Sequence, residues 1–345
     1  MKIILVITGI FVAVVIGVAF LFVKKQEEAT DNSMLTKYAA NPLFRQGTVN
    51  GWDFQPGDPF VMQDGGKYKM WFGANEEARR ITQVGYAESP DGITWTIHPE
   101  PVVRAGSQRT YDATVVETPT VVKDIDGTYH IWYGSVNKFG GDGDEAVYRI
   151  SHAISRDGVQ WTKNSDNPVL RPADLFANHW TSWGVLEPKV IKEGNEFRMW
   201  FVGLNAEAPE YKTVRYRLGY ATSADGSRWI MREEPLLEFC TGELGSSRIY
   251  NSAFDVVKIS DRYEFFYLGG DCPDVHAISR DGISWTKQDI EGKILAPGPA
   301  GSWDDGIVSS PSVLVDGQKL RMWYSGAHIT FLSKFVMGVG LAEER

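Results

Sequence analysis

Ser89–Trp95 reads SPDGITW and is the first of four copies of one pattern, Ser-x-Asp-Gly-x-x-Trp, in this chain of 345 residues. The other copies are Ser155–Trp161, Ser223–Trp229 and Ser279–Trp285, so the pattern recurs at a nearly constant interval. A short pattern that returns in this way indicates a repeated supersecondary unit. The chain is therefore expected to be one repeat array rather than a set of unrelated domains.

An aromatic-rich triplet follows the same interval and gives the number of units. It occurs five times, as Met70–Phe72, Ile131–Tyr133, Met199–Phe201, Phe265–Tyr267 and Met322–Tyr324. Each unit contains four short apolar segments bounded by Gly, Asp and Asn turns, with no helical period of useful length. Four-stranded units repeated around a ring are typical of a propeller. The sequence thus predicts an all-β fold, a five-bladed β-propeller.

The ends of the array predict how the ring closes. The fifth unit lacks the Asp-Gly-Trp turn and its closing strand, whereas Asn41–Phe44, before the first unit, matches Asn167–Leu170 at the end of the second. The N-terminal segment is therefore expected to complete the last blade, which removes an exposed sheet edge.

The first residues predict an N-terminal transmembrane helix. Residues 3–23 carry no charge, and a helix of this length crosses the roughly 30 Å core of a bilayer. We expect a membrane anchor at residues 1–25, a linker at 26–40 and the propeller at 41–345, outside the cytoplasm (periplasmic or extracellular). A cleaved export signal is the alternative, although no small-residue cleavage site follows the apolar run.

Composition limits the partners and cofactors. The net charge of -9 is spread along the chain without a basic cluster, which argues against a nucleic-acid partner. Cys240 and Cys272 are too far apart for a CxxC motif; they could form a disulfide in an exported domain or remain two buried thiols. No metal motif is present, so no cofactor is expected, with a structural calcium ion in the channel left open.

The Asp residues of the repeated pattern are expected to be structural. Asp followed by Gly is a tight-turn pair, in which the carboxylate accepts backbone N–H groups and Gly takes positive φ. One copy on each blade cannot converge on one site. This applies to Asp91, Asp157, Asp225 and Asp281.

Functional residues are sought where the repeat is broken, because the first strands of the blades line the central channel. Counting back from the aromatic triplets aligns one residue on each first strand: Asp58, Thr118, Glu187, Ala253 and Ser310. All but Ala253 stand directly before Pro. Glu117 and Asp255 lie one or two residues out of phase on the second and fourth blades. Two facing carboxyl groups are what glycosidic bond cleavage needs, one as acid and one as base or nucleophile. Capping of strand ends is the structural alternative.

Polar and aromatic residues at the start of each unit are candidates for sugar binding. Asp112, Asn251 and Asp304 each stand beside an aromatic residue and could bond sugar hydroxyls, while Trp52 and Trp183 could stack on sugar faces. Packing between blades is the alternative for the Trp residues.

Two motifs resemble those of a known enzyme group. Asp58–Val61 followed by Lys67–Phe72 resembles the first-blade motif of the five-bladed glycosidases of families 43 and 32, and Leu186–Lys189 ahead of Phe197–Phe201 looks like their acid motif. The Asp-Gly-Trp pattern followed by Asn-Pro-Val-Leu is similar to sequences of family 32 and of family 130, which contains mannoside phosphorylases. The resemblance implies that Asp58 is a catalytic base or nucleophile and Glu187 an acid or its modulator.

The expected function is glycoside hydrolysis on a carbohydrate substrate. Two alternatives remain open: a non-catalytic carbohydrate-binding propeller, and a glycoside phosphorylase, for which Arg45, Arg104 and Arg171 recur after the closing strands.

Overall fold

The computed structural model describes residues 33–45, 51–52, 55–76, 81–137, 147–173, 179–207, 213–243, 252–290, 292–329 and 335–344. The predicted anchor at residues 1–25 lies outside these ranges. Within them, no helix is long and apolar enough to span a bilayer. The described residues form strands connected by turns and loops, so the all-β prediction is confirmed.

In chain order the strands are β1 (Leu35–Lys37), β2 (Phe44–Arg45), β3 (Gln55–Asp64), β4 (Lys67–Glu76), β5 (Ile81–Ser89), β6 (Thr96–Ile97), β7 (Val115–Lys123), β8 (Tyr129–Val136), β9 (Arg149–Ser155), β10 (Trp161–Lys163), β11 (Gly184–Glu193), β12 (Glu196–Glu207), β13 (Thr213–Ser223), β14 (Ile230–Met231), β15 (Leu237–Glu243), β16 (Phe254–Ile259), β17 (Arg262–Tyr267), β18 (Val275–Ser279), β19 (Thr286–Lys287), β20 (Ile307–Asp316), β21 (Lys319–Ile329) and β22 (Phe335–Glu344).

These strands form five antiparallel sheets, one for each predicted blade. Blades one to four are built from β3–β6, β7–β10, β11–β14 and β16–β19, with β15 added beside β13 in blade three. Blade five contains β20, β21 and β22 and is completed by β1 and β2. The prediction of a five-bladed propeller is therefore confirmed.

The N-terminal segment closes the ring as expected. Strand β1 pairs with β22, Leu35 lying opposite Glu344, and β2 pairs with the same strand. Asn41 exchanges two hydrogen bonds with the backbone of Leu341, at 2.8 and 2.9 Å. Asn167 does the same with His152 in blade two, at 2.8 Å each. Strand β1 lies inside the range predicted as linker, so the ordered propeller begins before residue 41.

The two repeated patterns join neighbouring blades to each other. The Trp of an aromatic triplet donates its indole N–H to the Gly carbonyl of the Asp-Gly turn on the next blade, at 2.8–2.9 Å. The four donor–acceptor pairs are Trp71–Gly158, Trp132–Gly226, Trp200–Gly282 and Trp323–Gly92. Blade four carries Phe266 instead of Trp, and blade five has no such turn to receive a donor. The two gaps in the repeats therefore fall at the same junction.

The turn carboxylates have the structural role that the sequence predicts. Asp91 Oδ1 accepts the backbone N–H groups of Ile93 and Thr94, at 2.8 and 2.7 Å. These bonds lower the pKa of Asp91 to about 2. The equivalent residues of the other three copies make the same pair of bonds.

Apolar side chains pack between adjacent blades, as in the cluster that joins Trp71 and Tyr86 of blade one to Tyr129 and Tyr133 of blade two. Blades three and four are also joined covalently, because Cys240 of β15 forms a disulfide with Cys272, their Cα atoms 5.8 Å apart. Of the two states that the sequence left open for these cysteines, the structure has the paired one.

Candidate active site in the central channel

Four of the five inner strands have the same backbone irregularity at the residue before Pro. Asp58, Thr118, Glu187 and Ser310 have positive φ values of 48°, 50°, 55° and 49°, and the pairing register shifts there in β3, β7, β11 and β20. This region of φ is uncommon for residues other than Gly, and such bulges occur often beside active sites. Ala253 precedes the regular strand β16 on blade four. The break in the repeat that singled out Asp58 and Glu187 therefore corresponds to a real deformation of the strands.

Asp58 lies half-buried in the channel with a hydroxyl on its carboxylate. Ser310 Oγ, from the equivalent position of blade five, donates to Asp58 Oδ1 at 2.6 Å. The backbone N–H of Asp58 donates to Ser325 Oγ at 2.8 Å, which holds the bulge in place. Burial raises the pKa of Asp58, while the hydrogen bond from Ser310 and the positive charge of Lys189 oppose that rise.

Glu187 is more deeply buried, with 7% of its surface exposed. Ser252 Oγ donates to its Oε1 at 2.8 Å across the junction with blade four. Burial and the negative charge of Asp58 raise the pKa of Glu187 to about 7.

Glu117 joins the same group from blade two. The hydroxyl of Tyr148 donates to its Oε1 at 3.0 Å. Burial, together with the charges of Asp58 and Glu187, raises the pKa of Glu117 to about 8. A methyl group added at Gly73 would lie 3.2 Å from Asp58 Oδ2 and 3.6 Å from Glu117 Cβ, so this glycine separates the two acids and leaves them room.

The structure thus brings Asp58, Glu117 and Glu187 into one electrostatic cluster, which we call the carboxyl triad. Desolvation and mutual repulsion both favour the protonated form of a carboxyl group, which is the direction in which the pKa values of all three residues are shifted. A cluster with both an ionised and a protonated carboxyl group can supply a base and an acid to the same bond.

Asp255, the fourth predicted catalytic residue, is bound differently. It is 5% exposed, and its two oxygens accept the backbone N–H groups of Val256 at 2.9 Å and of Val313, on blade five, at 2.6 Å. The ammonium of Lys189 lies 4.0 Å from Oδ1. These contacts tie the inner strands of blades four and five together, and burial raises the pKa of Asp255.

Two of the predicted sugar-binding acids lie inside the blades. Asp112 and Asp304 are each 1% exposed. Asp112 pairs with Lys163 of β10 at 2.5 Å, and Asp304 pairs with Lys37 of β1 at 2.6 Å. These equivalent ion pairs hold the outermost strands of blades two and five, and they give the two acids contacts within the fold in place of solvent.

The two predicted Trp residues differ in burial and in position. Trp52 is 6% exposed and stacks on Phe72 with ring centroids 6.0 Å apart. Trp180 takes the equivalent place over Phe201 in blade three, at 5.8 Å. Trp183 is therefore out of phase with Trp52 and lies half-buried just before β11. Asn251 lies outside the described residues.

The sequence aligned Thr118 with Asp58 but did not indicate the contacts of Lys189 and Tyr148. The hydroxyl of Thr118 is buried without a hydrogen-bond partner, although it occupies the same bulge position as Asp58. Lys189 and Tyr148 acquire their roles from groups on other strands, which no local motif shows. Across the described ranges, no group of three or more His, Cys, Asp or Glu residues is arranged to hold a metal ion.

Sequence comparisons give short matches. No family model matches the chain. It is 33% identical over 111 residues to an uncharacterized protein of Mycobacterium tuberculosis strain H37Rv, a match that covers 32% of each chain. It is 31% identical over 116 residues to a β-1,2-mannobiose phosphorylase of Thermoanaerobacter sp. strain X514, covering 31% of this chain and 36% of that protein. The chain thus spans about a third of the length of these curated relatives.

Comparisons with solved structures cover nearly the whole propeller. BT0996, solved as a complex with RGII, has a TM-score of 0.66 at 16% identity, and the match covers 88% of this protein and 91% of the other. Zg3597, a family 117 glycoside hydrolase of the marine bacterium Zobellia galactanivorans, gives 0.62 at 14% identity, over 87% and 90% of the two proteins. A thermostable family-43 glycoside hydrolase gives 0.60 at 15% identity, over 86% and 92%. The protein therefore has the five-bladed propeller fold of these glycoside hydrolases, the group that its sequence motifs resemble.

Proposed function

We propose that this protein hydrolyses glycosidic bonds with the carboxyl triad in its channel. The observation that carries the proposal is the convergence of Asp58, Glu117 and Glu187 from three blades, with pKa values shifted so that charged and neutral carboxyl groups coexist near neutral pH. This is the combination that glycoside cleavage requires. The fold shared with glycoside hydrolases supports it.

Each member of the triad has a distinct role in this proposal. Asp58 acts as base or nucleophile, because it is the group whose negative charge raises the pKa values of both Glu117 and Glu187 and which therefore ionises first. Glu187 donates the proton to the leaving oxygen, because its pKa of about 7 keeps it largely protonated in mildly acidic solution and allows it to lose that proton during the reaction. Glu117, with the higher pKa of about 8, stays neutral and limits the negative charge in the channel.

The experiment compares hydrolysis of a glycan panel, and of aryl glycosides with activated leaving groups, by the wild type and two variants. Asp58→Asn should lose turnover on every substrate. Glu187→Gln should lose turnover on natural glycans and retain it on aryl glycosides whose leaving group needs no proton. Asp261→Asn, an exposed acid in the turn between β16 and β17, is the matched control and should keep full activity.

Other outcomes separate the alternatives. Sugar binding by the wild type without turnover on any substrate would contradict the enzyme proposal and favour a carbohydrate-binding propeller. If Glu187→Gln loses as much turnover on activated aryl glycosides as on natural glycans, Glu187 is not the acid.

Phosphorolysis is the second candidate function, favoured by the match to a mannobiose phosphorylase. Arg109, Arg149 and Arg171 line a cleft of about 260 Å³ in blade two, where a phosphate could bind, and Arg171 is one of the three arginines that the sequence analysis considered for that role. Arg104, another of them, pairs with Glu100 at 2.9 Å. Repeating the assay with inorganic phosphate distinguishes the two reactions, because phosphorolysis yields a sugar 1-phosphate.

We further propose that the propeller acts outside the cytoplasm and is held there by the N-terminal apolar segment. The disulfide between Cys240 and Cys272 supports this location, because disulfides persist in oxidising compartments. Fractionation of expressing cells tests it: propeller recovered in the cytosol with free thiols would contradict the proposal.

A further inference from the structure

We propose that the cleft at the end of blade two binds an acidic group of the glycan, a carboxylate or a sulfate ester, which makes the substrate a charged oligosaccharide. This inference rests on the proposed glycosidase function and names its class of substrate. The cleft has a volume of about 260 Å³. Its lining includes six polar residues, which are Arg109, Tyr111, Asn137, Arg149, Asn167 and Arg171.

The first support is the charge of the cleft. Three of its residues are arginines and none of its described lining residues is an acid, in a chain whose net charge is -9. Arg109 and Arg171 are exposed and form no ion pair with a described residue. Arg149 is 8% exposed, and its Nη1 donates to the carbonyl of Val147 at 2.9 Å. Because guanidinium groups bind planar oxyanions through paired hydrogen bonds, the cleft is suited to an anionic ligand.

The second support is that two of these arginines stand side by side. Ile150 pairs with Leu170 in antiparallel register, so the next two residues along are Arg149 and Arg171. Like charges at such a pair are destabilising when no anion lies between them. The equivalent pairs in the other blades with a closing segment contain one cation each: Gln83 with Arg104 in blade one, Arg217 with Glu238 in blade three and Gly338 with Arg45 in blade five. Building a blade therefore does not require the two adjacent cations of blade two.

The third support is the backbone of Arg109. The turns Gly106–Asp112 in blade two and Gly298–Asp304 in blade five are closed by the same hydrogen bond, from the N–H of the first residue to the carbonyl of the last, at 2.9 and 3.2 Å. Arg109 and Gly301 occupy the same place in these turns, with φ of 77° and 87°. This conformation favours Gly, and residues that depart from that preference cluster at ligand sites. The turn itself thus gives no reason for an arginine.

Neutral groups of the cleft are held in place beside the arginines. The side chain of Asn167 exchanges two hydrogen bonds with the backbone of His152, at 2.8 Å each. The same amide donates to the hydroxyl of Tyr111 at 2.9 Å. Since a hydroxyl that accepts a hydrogen bond still has its own proton to donate, Tyr111 supplies a further donor with a fixed position.

The cleft lies at the same end of blade two as the carboxyl triad. Glu117 is near the start of β7 and lies opposite Gly134 of β8, and Asn137 of the cleft follows Gly134 after roughly 10 Å of extended chain. Tyr148, whose hydroxyl donates to Glu117 at 3.0 Å, directly precedes Arg149. A glycan held at the triad can therefore extend along this end of the blade and place the acidic group of a neighbouring sugar in the cleft.

The test is calorimetric binding of acidic oligosaccharides and of their neutral counterparts. The panel contains oligomers of galacturonic, glucuronic and mannuronic acid, the same oligomers with their carboxyl groups reduced to alcohols, and one oligosaccharide with and without its sulfate esters. At least one acidic form should bind about tenfold more tightly than its neutral counterpart, and added NaCl should reduce that preference. The acidic form that shows the larger preference distinguishes a carboxylate from a sulfate ester as the group bound.

Two variants assign the preference to the cleft. Arg109→Gly, which gives blade two the residue of blade five, and Arg171→Gln should each weaken binding of the acidic form about tenfold and leave the affinity for the neutral form unchanged. Because Gly301 adopts the same conformation, Arg109→Gly should keep the fold, and an unchanged Tm checks this. Arg156→Gln is the matched control, since Arg156 is exposed at the opposite end of β9 from Arg149 and should leave both affinities unchanged.

Equal affinities for the acidic and neutral forms, or a preference that survives both arginine variants, would overturn the inference. Inorganic phosphate that binds through Arg109 and Arg171 and is not displaced by acidic oligosaccharides would also overturn it, because the cleft would then hold phosphate. Binding of acidic glycans without turnover would contradict only the proposed hydrolysis. Turnover of neutral glycans without a preference for acidic ones would contradict only this inference.

Discussion

Replacing Glu117 by Gln should stabilise the protein at neutral pH and not at acid pH. Glu117 is held in the channel by the Tyr148 hydroxyl, and burial with repulsion from Asp58 and Glu187 raises its pKa from 4.5 to about 8. The folded protein therefore binds this proton more tightly than the unfolded chain does. The contribution of protonated Glu117 to the free energy of unfolding is fully present below pH 4.5 and is lost progressively as the pH rises to about 8.

The size of the effect follows from the shift. Each pH unit between the two pKa values reduces the free energy of unfolding by about 1.4 kcal/mol, which amounts to about 3 kcal/mol at pH 7. Gln has the same shape, cannot ionise, and keeps an oxygen that accepts the hydrogen bond from Tyr148. Glu117→Gln should therefore gain about 3 kcal/mol at pH 7 and close to nothing at pH 4.

The assay is urea denaturation of the wild type and the variant at pH 4, 5.5, 7 and 8. The difference in unfolding free energy should grow with pH across this series. Glu234→Gln, at an exposed position outside the strands, is the control and should change stability by no more than about 0.5 kcal/mol. Two results would refute the reasoning. One is an unfolding free energy equal to that of the wild type at all four pH values, and the other is a gain over the wild type that is smaller at pH 8 than at pH 4.

Three further predictions concern packing and covalent structure. Cys240→Ser should lower the free energy of unfolding by about 3–4 kcal/mol, because the disulfide closes a segment with a sequence separation of 32 residues; an unchanged urea midpoint would contradict it. Gly85→Ala should cost about 1–3 kcal/mol, since the added methyl would lie 2.5 Å from Trp52 and 2.6 Å from Phe72, and calorimetry should show a lower Tm. Thr118→Val should raise stability by about 1 kcal/mol because it removes a buried hydroxyl without a partner, and a rise in KM for the glycan would show that this hydroxyl binds substrate.

The sequence allowed the positions of Asp58 and Glu187 to be predicted because their signal is local. A residue before Pro on the first strand of a blade can be aligned by counting back from the aromatic triplet, and the bulge in the structure lies at that residue. Glu117 was counted as out of phase because the count assumes a regular strand. In β7 the bulge inserts one residue, so that Glu117 lies opposite Gly134 and Thr120 opposite Trp132, two positions apart on the partner strand. Glu117 and Thr120 therefore share a face, which strict alternation would deny.

The assignments of Asp112, Asp304 and Trp183 show the limit of local patterns. An acid beside an aromatic residue looks the same in sequence whether it faces a ligand or a lysine of the outermost strand. Asp112 forms an ion pair with Lys163, and Asp304 forms one with Lys37, so both acids face a lysine of an outermost strand. Lys37 is separated from Asp304 by most of the chain. Trp183 was aligned with Trp52 by its position before a strand, whereas stacking on the aromatic triplet assigns that role to Trp180.

The sequence by itself determined the number of blades, the closure of the ring by the N-terminal segment and the structural role of the Asp-Gly turns. These features depend on backbone geometry and on contacts that repeat with the chain, so a periodic pattern is sufficient to reveal them. Only the tertiary structure decided which acids meet in the channel, that Asp255 is bound by backbone N–H groups and that the ammonium of Lys189 lies 4.0 Å from Asp255. Those facts depend on side chains from different blades and on a shift of register at each bulge, and a repeat pattern records neither.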